Sequence, residues 1–149
     1  MRLATLGAAV CLAILAPVRA ADADSKHLSL GEIAVVPTHA SSMTGELKSA
    51  LESEMKTLDL RGAHKDAILS VSLVKLDTDR RSSSSESARP AFGGYAAECV
   101  VSATLRSRSG VLFAMVEGRA RAVGSDHVSE NALRGAVHGA LSRVPDALK

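Results

Sequence analysis

The residues able to do chemistry in this chain are five histidines, two cysteines, a run of serines and a few arginines. His27, His39, His64, His127 and His138 are scattered, and no two stand four apart on a helix. Neither H-E-x-x-H nor C-x-x-C occurs, so the spacing that aims two ligands at one metal ion is missing. We read these histidines as surface residues and expect no metal site. Cys99 lies in an alternating apolar segment, where a lone thiol behaves as a small core residue. A nucleophilic thiol needs an exposed, electropositive setting and a neighbouring base. Ser82 to Ser85 form a solvated run outside any G-x-S-x-G elbow. Gly93-Gly94 is a turn with no phosphate-binding pattern around it. The expectation is therefore no catalytic residue, no cofactor and no enzyme.

Two apolar-and-arginine groupings remain. Arg106, Arg119 and Arg121 fall on one face of a strand pair, where they could meet a lipid phosphate or an acidic glycan. Glu98 and Glu117 share that face and neutralise them. Ile68, Val74, Val100, Phe113 and Met115 lie on the same face, and if contiguous they make a patch larger than a monomer usually exposes. Val100, Phe113, Met115, Arg106, Arg119 and Arg121 are the candidate partner-binding residues.

The elements that position them follow from periodicity. Residues 30–37 form a β-branched run closed by Pro37, a strand. Leu47, Leu51, Met55 and Leu58 make one helical stripe over 44–60, with Thr44 as its cap, Glu46 in its first turn and Gly62 as its stop. Residues 66–76 alternate Ala67, Leu69, Val71 and Leu73 with Ser70 and Ser72, a second strand. Residues 77–94 read as a long mobile loop. Residues 95–106 and 111–123 form a hairpin turning at 107–110. Pairing Arg106 with Val111 sets Leu105 against Leu112, Val101 against Val116 and Cys99 against Gly118. A one-residue slip would turn the core face outward. Ser125 caps a last helix whose apolar stripe runs from Val128 to Val144 and ends at Pro145. Gly135, Ala136, Gly139 and Ala140 leave one of its sides shaved for close approach to a sheet.

The order is β-α-β-β-β-α. We expect an α+β two-layer sandwich, a four-stranded mainly antiparallel sheet with two helices on one face. The other face, in an antiparallel sheet, is free to meet water.

The first twenty residues are of another kind. Arg2 precedes an uncharged run from Leu3 to Ala16, Pro17 breaks it, and Val18-Arg19-Ala20 offers small residues for cleavage, the three parts of a secretory signal peptide. The run is too short to span a bilayer as a helix. We divide the chain into a signal peptide (1–20), a flexible lead (21–29) and one domain (30–149), a size at which a single core suffices without a disulfide. Losing residues 1–20 removes Arg2, Arg19 and Cys11 but no acid. The remainder has equal numbers of acids and bases and one cysteine, so neither an internal disulfide nor a field drawing DNA is available. The aromatic content is 2%, Phe92, Phe113 and Tyr95, which excludes a base-stacking nucleic-acid surface.

GEIAVVP at 31–37, the long 77–94 loop, YAAECVVSATLRSRSG at 95–110 turning into VLFAMVEGRARAV, and NALRGAVHGALSRV at 131–144 together resemble small Gram-negative envelope proteins. The element order is similar to the LptE family of lipopolysaccharide assembly, to N-terminal domains of the TolB and CsgG type, and to penicillin-binding-protein activator lipoproteins. The resemblance spans residues 30–144 and lies in element order. It implies a non-catalytic domain docking onto an outer-membrane or periplasmic protein. Most such relatives carry a lipid on an N-terminal cysteine. Here Cys11 follows Val10 inside the apolar run, a departure from that signal.

The functional expectation is an exported periplasmic or extracellular binding or scaffold protein of cell-envelope assembly. It touches membrane only through a partner or lipid headgroups, and it binds no nucleic acid. The alternatives are a soluble carrier of lipid or another apolar ligand, and a small hydrolase with a loop-built site.

Overall fold

The structure, a computed structural model, describes residues 27–63, 65–81 and 94–149. The signal peptide expected at 1–20, residues 21–26 of the lead, and residues 82–93 of the serine-rich loop lie outside the described residues. In chain order the elements are β1 (Leu28–Val35), a 3₁₀ segment (Thr38–Met43), α1 (Thr44–Thr57), β2 (Ala67–Arg81), β3 (Gly94–Arg106), β4 (Leu112–Gly124), α2 (Val128–Leu141) and a single-turn α3 (Val144–Ala147).

The sheet has the order β1-β2-β3-β4. β1 and β2 are parallel, joined through α1, while β2–β3 and β3–β4 are antiparallel. The expected two-layer α+β arrangement is therefore present. Its core forms where alternation in the strands meets the helical stripes. Leu69, Val71 and Leu73 of β2, and Cys99, Val101, Ala103 and Leu105 of β3, lie buried against Leu47, Leu51 and Met55 of α1 and Ala132, Leu133, Ala136 and Val137 of α2. Among the described residues no polar or charged side chain is buried.

Several local expectations are corrected. β1 begins at Leu28, so Leu28 and Ser29 belong to the sheet and not to a flexible lead. β2 continues to Arg81, through residues assigned to the mobile loop. Asp77, Thr78 and Asp79 pair with Glu98, Ala97 and Ala96. The antiparallel ladder there outweighs the low strand preference of aspartate. Lys75 adds ion pairs to Asp77 at 3.0 Å and to Glu98 at 3.4 Å.

The β3–β4 register also differs, by two residues. Cys99 faces Ala120, Val101 faces Gly118 and Leu105 faces Ala114, while Arg106 faces Leu112. The turn causes this. Ser107 N–H donates to the Val111 carbonyl, Gly110 takes a φ of 91°, and the ladder shifts between Leu105 and Arg106. From Ala114 onward the two-residue offset keeps side chains on their expected faces. At the shift, Leu112, expected in the core opposite Leu105, stands exposed opposite Arg106, and Phe113, expected on the outer face, packs on the core.

Neither hydroxyl expected to cap a helix does so. Thr44 donates to the Ser41 carbonyl at 2.8 Å, because the 3₁₀ segment runs straight into α1, whose N-cap is Met43. Ser125 donates to Asp126, and the α2 N-cap is His127, left-handed at φ 52°. Pro145 does not end α2. It sits in the first turn of α3, where its missing N–H costs nothing.

Candidate functional site: the outer face of the sheet

The side of the sheet away from the helices is a grid of transverse rows. From one end they read Ser70–Thr104–Met115, Ser72–Ser102–Glu117, Lys75–Val100–Arg119, Asp77–Glu98–Arg121 and Asp79–Ala96–Val123. Ile68 and Arg106 lie beyond the first row. Each member points outward because its neighbour in sequence points into the core.

The grid is electrically balanced. Lys75, Arg106, Arg119 and Arg121 oppose Asp77, Asp79, Glu98 and Glu117. Arg119 Nε meets Glu117 Oε1 at 2.6 Å along β4. The hydrogen bond to Asp77, with the nearby negative charges of Asp77 and Glu98, holds the Lys75 ammonium above its ordinary pKa. All these groups are solvated, so each pair contributes little to stability.

The six residues singled out from sequence do not form one patch. Arg106, Phe113 and Met115 gather at one end, and Val100, Arg119 and Arg121 at the other. The polar row Ser72–Ser102–Glu117 divides them. Met115 is 67% exposed, but Val100 is only 6% exposed, lying between Lys75 and Arg119. Phe113 is half-buried and packs on the core, with Lys65 Nζ 5.8 Å from its ring centre. The exposed Val123 and Leu112 were not singled out. Val123 sits at the end of an alternating run, where its side could have been read. Leu112 depended on the turn register.

Among the described residues the groups weighed for catalysis lie apart, while His64 and Ser82 to Ser85 lie outside them. His27 pairs with Asp66 at 2.9 Å, His127 with Glu130 at 3.1 Å, and His138 with Glu54 at 3.0 Å. The last pair links α2 to α1. Cys99 is fully buried, and burial pushes its thiol up to about 11. It is thus protonated at neutral pH and no nucleophile. Among the described residues no three His, Cys, Asp or Glu side chains converge as metal ligands. An open depression of about 510 Å³ lies between Ala40, Met43, Asp77, Thr78 and Ser129. Between the layers, the Ala136 carbonyl sits on Gly118 so closely that a Cβ there would overlap it. That is the reverse of the separation a lipid held between helix and sheet requires.

No known family matches the sequence, and no curated protein does. Solved structures with similarity include a "putative lipoprotein" from Caulobacter crescentus CB15, with 11% identity and a TM-score of 0.43 over 80% of this chain and 86% of that one. Another is a minor lipoprotein from Acinetobacter baumannii, with 7% identity and a TM-score of 0.38 over 78% of this chain and 89% of the other.

Proposed function

We propose that the chain is an exported, non-catalytic docking protein of the bacterial cell envelope, acting in its assembly through the outer face of the sheet. The observation that carries this reading is the one-sided burial of the sheet. Both helices lie on one side, while on the other Met115 stands 67% exposed among charged and hydroxyl side chains. The signal-peptide pattern at residues 1–20 supports export. The face suits a folded protein. Equal numbers of acids and bases give no net field for nucleic acid or anionic lipid, and a mixed polar and apolar grid resembles a non-obligate interface.

The test is photo-crosslinking in intact cells from a residue placed at Met115, with Lys48 on the solvent side of α1 as the control position. The expected result is one adduct of defined mass from position 115, distinct in mass from two copies of this chain, absent from position 48, and lost when Glu117 and Arg119 are both changed to Ala. An adduct with the mass of two copies only contradicts the reading. Adducts of equal pattern from both positions contradict it.

A further inference from the structure

We propose that β4 pairs with β4 of a second copy of this chain, antiparallel about a two-fold axis at Gly118, joining the two sheets into one of eight strands.

β4 is the last strand of the sheet and 13 residues long. It contains no proline, and its ladder to β3 is regular from Ala114 to Gly124. Natural edge strands are usually shortened, bulged or broken by proline to stop such pairing. The Glu117 carbonyl accepts a 3.4 Å hydrogen bond from Arg143 Nη1 and so is turned away from β3. By the alternation of an antiparallel ladder, the backbone groups of Met115, Glu117, Arg119 and Arg121 point off the edge together.

The side chains then select the register. An axis at Gly118 places Glu117 opposite Arg119 of the second copy, twice, with Met115 opposite Arg121. An axis at Glu117 or at Arg119 sets that charge against itself, and an axis at Ala120 sets Arg119 against Arg121. Opposite charges across a strand pair favour it, and like charges directly opposed disfavour it. Of these axes, only Gly118 matches Glu with Arg and opposes no like charges. Arg143 releases the Glu117 carbonyl to the incoming strand, a small loss for a long, exposed bond. Where α2 lies over β4 its residues are Gly135 and Gly139, which face Ala120 and Gly118. This inference does not depend on the identity of any envelope partner: Met115, Glu117, Arg119 and Arg121 belong to the outer face as well as to the edge, but self-association is read on the purified chain alone.

The experiment is sedimentation equilibrium on the processed full chain over a concentration series. The wild type is expected to dimerise. Glu117→Arg alone and Arg119→Glu alone each weaken the dimer about tenfold or more. An equimolar mixture of the two single variants, and the double reversal E117R/R119E, restore it. The double variant keeps its own along-strand pair, so it remains informative if a single variant fails to fold. Met115→Cys with Arg121→Cys is expected to give an interchain disulfide under mild oxidation. A wild type that stays monomeric throughout, single reversals that dimerise as the wild type does, or a double variant that does not dimerise overturns the proposal.

Discussion

Gly118 of β4 lies directly beneath the Ala136 carbonyl of α2, at backbone contact, and the Ala140 amide is almost as near. No side chain fits between them. This contact fixes how low α2 rides on the sheet, and so how Ala132, Leu133, Ala136 and Ala140 reach the core. Gly118→Ala must push the helix off backbone and not merely displace a flexible side chain. The expected loss is about 3 kcal/mol or more, at the upper end for overpacking, read as a lowered urea midpoint.

The Cys99 thiol gives a pH signature. Its pKa is raised to about 11 by burial from a reference of 9.0. Between those values the unfolded thiol has lost its proton while the folded one keeps it. The unfolded state therefore binds fewer protons, and stability falls as pH rises. Below about pH 9 the contribution is fully present, and it is lost by about pH 11. The span corresponds to about 3 kcal/mol at most. Chemical unfolding at a series of alkaline pH values should show this slope in the wild type and a shallower one in Cys99→Ala. Thiol reagents should modify the native protein only as it opens.

The two sides of the sheet respond differently to truncation. Met115→Ser removes an exposed side chain, and its effect on stability should be within about 0.5 kcal/mol. Leu73→Ala, at a fully buried site in the core, should cost about 2–5 kcal/mol. Phe113→Ser should fall between them, because Phe113 is half-buried on the core. A folding-neutral variant of the outer face therefore changes Met115 without Phe113. Parallel thermal and urea melts check all three.

The His138–Glu54 pair joins the two helices at 3.0 Å, and the His138 side chain is 68% exposed. Solvent screens it, so His138→Ala should cost no more than about 1 kcal/mol, with the difference shrinking in high salt. A double-mutant cycle with Glu54→Gln reads the coupling.

Element order and the inward set of each strand were legible in the sequence because the period-two pattern of Leu69, Val71 and Leu73, or of Val101, Ala103 and Leu105, has one physical solution. What escaped was set by backbone geometry between elements. The positive φ of Gly110 and the ladder shift at Arg106 moved the hairpin register and exchanged the faces of Leu112 and Phe113, and both are large apolar residues, so the hydrophobic pattern carried no sign of it. Thr44 and Ser125 have the chemistry of caps. Their hydroxyls went to Ser41 and Asp126 because the preceding chain arrives already helical in one case and kinked at His127 in the other. The extension of β2 through Asp77 and Asp79 was hidden because pairing with β3, and not local preference, holds it. On the outer face, alternation identified which residues point outward. It could not reveal that Lys75 and Arg119 flank Val100, or that a row through Ser102 separates the two apolar ends.

The central claim is that the outer face of the sheet is bare in the isolated protein and covered in the cell. A cysteine placed at Met115 and another placed at Glu52 on α1 test it by their labelling rates with a small thiol reagent, in purified protein and in intact cells. The account predicts rapid labelling of both in the purified protein, and slowing at position 115 alone in the cells. Equal rates at position 115 in the two settings would contradict it.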